Sequence, residues 1–131
     1  MASDPAAPVL LYVEDEAMTQ ELVETALREA GFEVLVASDG HEALALLGTH
    51  KGALRGLITD INLGDCADGW EVARTAREAI SGLPVLYVSG ACDKEWTAKG
   101  VPNSLMIAKP FAPAQIVVAI SSLLVAADTS D

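Results

Sequence analysis

Short apolar runs alternate with longer stretches in which apolar residues recur every three to four positions, and the alternation repeats five times. Val9-Leu10-Leu11-Tyr12-Val13 is a continuous apolar run of strand length. A helix follows from roughly Ala17 to Ala30, with Met18, Leu22, Val23, Ala26 and Leu27 as its apolar stripe, and Gly31 ends it. Glu33 to Ala37 is the second strand; Ser38 or Asp39 caps a helix through about Leu47 that stops near Gly48. Gly56 to Asp60 is the third strand, followed by a Gly- and Asp-rich loop and a helix from Gly69 to Ala79. Pro84 to Ser89 is the fourth strand, and a weak helix around Lys94 to Ala98 stops at Gly100 and Pro102. Ser104 to Ala108 is the fifth strand, and Pro113 opens a last helix reaching Ala126, with a frayed tail from Asp128 to Asp131. Strands apolar throughout are buried on both faces. The pattern therefore predicts an α/β protein with a parallel sheet covered by helices on both sides and right-handed crossovers.

Composition narrows the class. With 131 residues and 51% hydrophobic positions the chain supports one packed domain, expected over residues 8–126 with flexible termini at 1–7 and 127–131. Eight Lys and Arg against 19 Asp and Glu leave a formal charge of −11. That balance argues against direct nucleic-acid binding and against an anionic membrane surface, both of which need clustered cations. The N-terminus carries no secretory pattern, and no apolar run approaches the ~20 residues of a membrane span. Cys66 and Cys92 make no disulfide framework, and His41 and His50 read as solvent-facing helix residues. The expected location is the reducing cytoplasm.

The chemistry sits at the strand ends. In a doubly wound parallel sheet, ligands bind beyond the carboxyl ends of the strands. Glu14-Asp15-Glu16 follow the first strand, Asp60 ends the third, Ser89-Gly90 end the fourth, and Lys109-Pro110 follow the fifth. Carboxylates gathered at one edge repel unless a cation sits among them, and hard oxygen ligands suit Mg²⁺. A carboxylate can also act as a nucleophile toward phosphorus, with Lys109 and the Ser89 hydroxyl offsetting charge on the phosphoryl oxygens. Asp60 is best placed for that part, while Glu16 reads as a solvated helix cap.

These residues carry a resemblance. Val13-Glu14-Asp15-Glu16, Leu57-Ile58-Thr59-Asp60, Val88-Ser89-Gly90 and Ala108-Lys109-Pro110-Phe111, in this order at strand ends, resemble the receiver domain of two-component response regulators. The likeness spans about Val9 to Val125. It implies a flavodoxin-like (βα)5 sheet of order 2-1-3-4-5, with Asp60 accepting a phosphoryl group from a histidine kinase or histidine phosphotransfer protein. It further implies Mg²⁺ held by Glu14, Asp15, Asp60 and the Asn62 backbone carbonyl, Ser89 as switch hydroxyl, and Lys109 on the phosphoryl group. The Lys109-Pro110 bond is expected to be cis, and the small Gly90 to leave the site open.

The chain departs from that pattern at Met106, where receivers usually carry the Tyr or Phe that moves with the hydroxyl. Thioether repacking replaces a phenol that can exchange partners. The short helix after the fourth strand belongs to the face, completed by the fifth strand and last helix, through which a homodimer would form. The loop from Gly64 to Gly69, with Asp65 and Cys66, lies near the site, and Trp70, Trp96 and Phe111 read as packing residues. The expected role is a stand-alone phosphoacceptor switch, not a turnover enzyme, signalling through a downstream protein or serving as a phosphorelay shuttle or sink. A small Mg²⁺-dependent aspartyl phosphatase, a receiver cut from a larger regulator or hybrid kinase, and a partner-binding module that is never phosphorylated are the alternatives.

Overall fold

The computed structural model describes residues 7–61, 68–90 and 99–129. Five parallel strands, β1 (Val9–Val13), β2 (Glu33–Ala37), β3 (Leu54–Asp60), β4 (Val85–Ser89) and β5 (Ser104–Ala108), form one sheet in the order β2-β1-β3-β4-β5. Among the described residues the helices are α1 (Ala17–Glu29), α2 (Gly40–His50), α3 (Gly69–Ala79) and α4 (Pro113–Thr129). α2 and α3 pack together on one face, over Leu11, Leu57, Val85 and Tyr87; α1 and α4 pair on the other, over Leu10, Tyr12, Ile58 and Leu86. Strand residues of odd and even position thus feed two separate cores, which is why β1, residues 57–58 of β3 and residues 85–88 of β4 are apolar at successive positions. The fold class expected from the pattern and the strand order implied by the resemblance are those observed.

Local chemistry sets most boundaries. Gly31, at φ +99°, closes α1: its N–H donates to the Arg28 carbonyl at 3.0 Å and the Phe32 N–H to the Leu27 carbonyl at 3.1 Å. Asp39 caps α2 by accepting from the Glu42 N–H at 2.8 Å, and Asp68 caps α3 from Glu71 at 2.9 Å.

Three expectations are corrected. α2 runs through Gly48 to His50, because a helix-interior glycine costs only about 1 kcal/mol and the next turn still bonds, with the Thr49 hydroxyl donating to Ala45 at 3.0 Å. α4 continues past Ala126 to Thr129, and Asp128 meets Arg55 at 3.1 Å. In α1 only Val23 and Leu27 are buried from the predicted stripe; Met18 is 76% and Leu22 61% exposed. The stripe is wider than the face that α4 covers.

His41 is exposed and His50 partly so, and Trp70 packs on Tyr87 with ring centroids 4.8 Å apart. The weak helix at 94–98, most of the loop after Asp60 with Asn62, Asp65 and Cys66, and Cys92 and Trp96 lie outside the described residues. No helix among the described residues is long and apolar enough to cross a membrane.

Candidate functional site

Parallel pairing carries every strand toward the same edge, so residues far apart in sequence meet there. Val13 pairs with Thr59, Asp60 with Val88, and Ser89 with Ala108, which brings Glu14, Asp60, Ser89 and Lys109 to one level of the sheet. The Lys109 N–H donates to the Ser89 carbonyl at 2.7 Å, holding the last two of these strand ends together, and the Lys109-Pro110 peptide is cis as expected.

Carboxylate oxygens of Glu14, Asp15 and Asp60 lie within 4.8 Å of one another. Lys109 Nζ is 2.7 Å from Asp60 Oδ2 and 3.5 Å from Glu14 Oε1. Glu14 and Asp60 are 1% and 4% exposed and Ser89 is buried, whereas Asp15 faces solvent. One ammonium therefore faces three carboxylates, two of them out of water. That donor set fits a divalent cation with a preference for hard oxygen: it leaves charge to neutralise, and the exposed Asp15 gives a hydrated ion access.

The electrostatics follow from this crowding. Burial pushes the Glu14 carboxyl above its ordinary range and the Asp60 charge adds to the effect, while the Glu16 N–H, 3.1 Å from Glu14 Oε2, and Lys109 pull it back. Burial alone would push the Lys109 ammonium down, but its hydrogen bond to Asp60 and the charges of Asp60 and Glu14 hold it above its ordinary value.

Stability should depend on pH through the same carboxyl. The folded protein binds the Glu14 proton more tightly than the unfolded chain, whose reference value is 4.5. That contribution is complete below 4.5 and is lost as pH rises through the raised folded value. In EDTA, urea unfolding should show stability declining over that window, and Glu14→Gln should flatten the decline; the same slope in both proteins would refute the assignment.

The cleft at this edge is bordered by Asp15, Thr19, Leu22, Gly90, Phe111 and Pro113. A Cβ placed on Gly90 would meet only Lys109 Cδ, at 4.0 Å, so this residue leaves the cleft open. Glu16 occupies the N-cap position of α1, but its side chain accepts from the Thr19 hydroxyl and from no backbone N–H of the first turn, so it caps by position alone. Met106 lies opposite Tyr87 in the β4–β5 register and packs on the core of the α2 and α3 face. The phenol near it belongs instead to Tyr87, which accepts from the Val101 N–H at 3.0 Å. Asn62 lies outside the described residues.

Two residues beside the site escaped the sequence reading. Tyr12 was legible only as strand core, although its place two residues before Glu14 puts both side chains on one face. Gly69 was legible only as a helix start, yet its N–H donates to the Ile61 carbonyl at 2.8 Å, directly behind Asp60.

A family model described as the response regulator receiver domain matches residues 10–121. The chain is 36% identical to the transcriptional regulatory protein CusR of Escherichia coli over 117 residues, 88% of this chain and 50% of that protein. It thus spans about half the length of the curated relatives it matches. Among solved structures, a response regulator receiver protein from Sinorhizobium medicae superposes with a TM-score of 0.89 at 40% identity, covering 95% of this chain and 99% of that one. The chemotaxis response regulator CheY4 of Vibrio cholerae gives 0.76 at 26% identity, over 90% and 99% of the two chains. With the parallel five-stranded sheet and the acidic edge already in place, these matches show that the chain belongs to the response regulator receiver domain family of two-component signalling.

Proposed function

We propose that Asp60 is the phosphoacceptor of this receiver and that the phosphorylated chain signals through a protein partner or passes the group on in a phosphorelay. The carrying observation is the contact of Lys109 Nζ with Asp60 Oδ2 at 2.7 Å beside the Glu14 and Asp15 carboxylates. An Asp60 oxygen attacks the phosphorus of a phosphohistidine; the phosphorus–nitrogen bond breaks, and the imidazole leaves with the electron pair and takes a proton. Lys109 moves with the transferred oxygens and the Ser89 hydroxyl donates to another, so charge leaving the donor is met by fixed groups. Mg²⁺ would be held by Glu14, Asp15, Asp60 and, as the family resemblance implies, the Asn62 carbonyl, and would supply the remaining neutralisation. Acetyl phosphate with Mg²⁺, followed by intact-mass measurement, tests the reading: one phosphoryl adduct supports it, and none with any donor overturns it.

The donor protein must reach this cleft, and Leu22 at its border is exposed on α1 with Met18 beside it. Burying such apolar side chains favours association. Leu22→Asp should slow transfer from a histidine kinase or phosphotransfer protein about tenfold or more, while leaving phosphorylation by acetyl phosphate unchanged. Equal slowing with both donors would place Leu22 in the chemistry instead of the docking.

Output through a separate protein is favoured by the Sinorhizobium medicae neighbour, whose chain is covered over 99%. The CusR relative, of which the match covers 50%, favours an attached output domain. Immunoblotting of the source cells decides: a native product near 13.6 kDa supports the stand-alone form, and one about twice that size overturns it.

A further inference from the structure

Tyr12 is buried in the core between the sheet and the α1 and α4 helices, among Val23, Ile58, Val88 and Ile116. Its phenol oxygen is the one buried side-chain N or O atom, among the described residues, without a hydrogen-bond partner. Buried polar groups are nearly always satisfied, so an orphan calls for a reason. Tyr12 lies two residues before Glu14, whose N–H continues the β1–β2 pairing by donating to the Ala37 carbonyl at 3.0 Å, so strand alternation carries both side chains to one side of the sheet, and the phenol there lacks a complete hydrogen bond. A phenol keeps its proton at neutral pH and a carboxylate only accepts, so any bond between the two has the phenol as donor. Glu14 Oε2 accepts from the Glu16 N–H at 3.1 Å, and Glu14 Oε1 lies 3.5 Å from Lys109 Nζ.

We propose that Tyr12 is a positioning residue for the cation site: its O–H completes a hydrogen bond to the Glu14 carboxylate when Glu14 turns to a divalent cation, orienting that ligand from beneath. The inference rests on the reading of Glu14 as a cation ligand. In the metal-free protein the phenol oxygen lacks a complete hydrogen bond, so its removal there costs little. In the loaded protein the same removal leaves Glu14 without its support from the core, and partners of this kind are typically worth 10–100-fold in metal affinity.

The test is a Mg²⁺ titration of the full chain by isothermal calorimetry, with thermal unfolding in EDTA run in parallel. Tyr12→Phe keeps the ring and should weaken Mg²⁺ binding about tenfold, while its unfolding temperature in EDTA stays level or rises. Repeated in a Glu14→Gln background, the substitution should cause no further loss, because the acceptor has lost the charge that the phenol supports. Wild-type affinity in Tyr12→Phe overturns the inference and leaves Glu14 as a ligand, and so does a loss of the same size in both backgrounds. Absence of Mg²⁺ binding in the unsubstituted protein overturns the cation-site reading and this inference together. A fall in unfolding temperature without a change in affinity assigns Tyr12 to packing and overturns it too.

Discussion

Asp60→Asn is expected to leave a folded protein that takes up no phosphoryl group from acetyl phosphate or from any protein donor. The substitution is nearly isosteric at the end of β3, where the side chain is almost fully buried, so the strand and the packing around it stay intact. The carboxamide oxygen still accepts from Lys109, which sits 2.7 Å from Asp60 Oδ2. What disappears is the anionic oxygen that bonds to phosphorus, and no rearrangement of an amide restores it. The effect is therefore a loss of the adduct, not a slower approach to it. Intact-mass measurement after Mg²⁺ and acetyl phosphate reads the result directly. An adduct of equal yield in Asp60→Asn would move the acceptor elsewhere, with Asp15 the next carboxylate to test. The variant should also lose part of its Mg²⁺ affinity, since one of three clustered carboxylates is gone.

Gly69→Ala should cost about 3 kcal/mol of stability, the second large effect, although it adds one methyl group and no charge. A Cβ at Gly69 would stand 2.2 Å from the Asp60 carbonyl oxygen, 2.7 Å from the Ile61 Cα and 2.9 Å from the Asp60 carbonyl carbon. All three are backbone atoms, so no side-chain rotation relieves the overlap; either α3 withdraws or the end of β3 moves. The Gly69 N–H bond to the Ile61 carbonyl at 2.8 Å ties the two segments together and would be the first to break. Thermal unfolding should fall on the order of 10 °C. Phosphorylation should slow as well, because the atoms displaced are those that carry the Asp60 side chain. Gly90→Ala is the control: its Cβ meets nothing nearer than 4.0 Å, and its stability should stay within about 0.5 kcal/mol of the unsubstituted protein. A Gly69→Ala protein as stable as Gly90→Ala would show that the β3–α3 junction is looser than its geometry indicates.

The two glycines illustrate where sequence reading reached its limit. Gly69 opens α3 and Gly90 follows β4, and nothing in their sequence neighbours tells that backbone fills the space at one while an open cleft borders the other. Helix α1 shows the same limit at another scale. Met18, Leu22, Val23 and Leu27 form one periodic stripe, but only Val23 and Leu27 are covered, because burial depends on how α4 crosses α1. In α2, Gly48 read as a stop and became an interior residue, since local propensity of about 1 kcal/mol is readily overridden by tertiary packing.

By itself the sequence determined the order of strands and helices, the parallel sheet, and the set of polar residues at its carboxyl edge. The physical reason is that apolar periodicity and turn residues are local, and that right-handed βα crossovers leave all strand ends on one side. It also determined the family, since four short motifs in order carry more information than any one of them. Only the tertiary structure decided the distances and charges that make those residues a site. Lys109 and Asp60 are 49 positions apart and touch at 2.7 Å, and the raised Glu14 carboxyl is a product of burial among groups from other strands. The orphaned Tyr12 phenol belongs to the same class: whether a hydroxyl is satisfied depends on every chain segment around it, and Val23, Ile58, Val88 and Ile116 come from elements far from it in sequence.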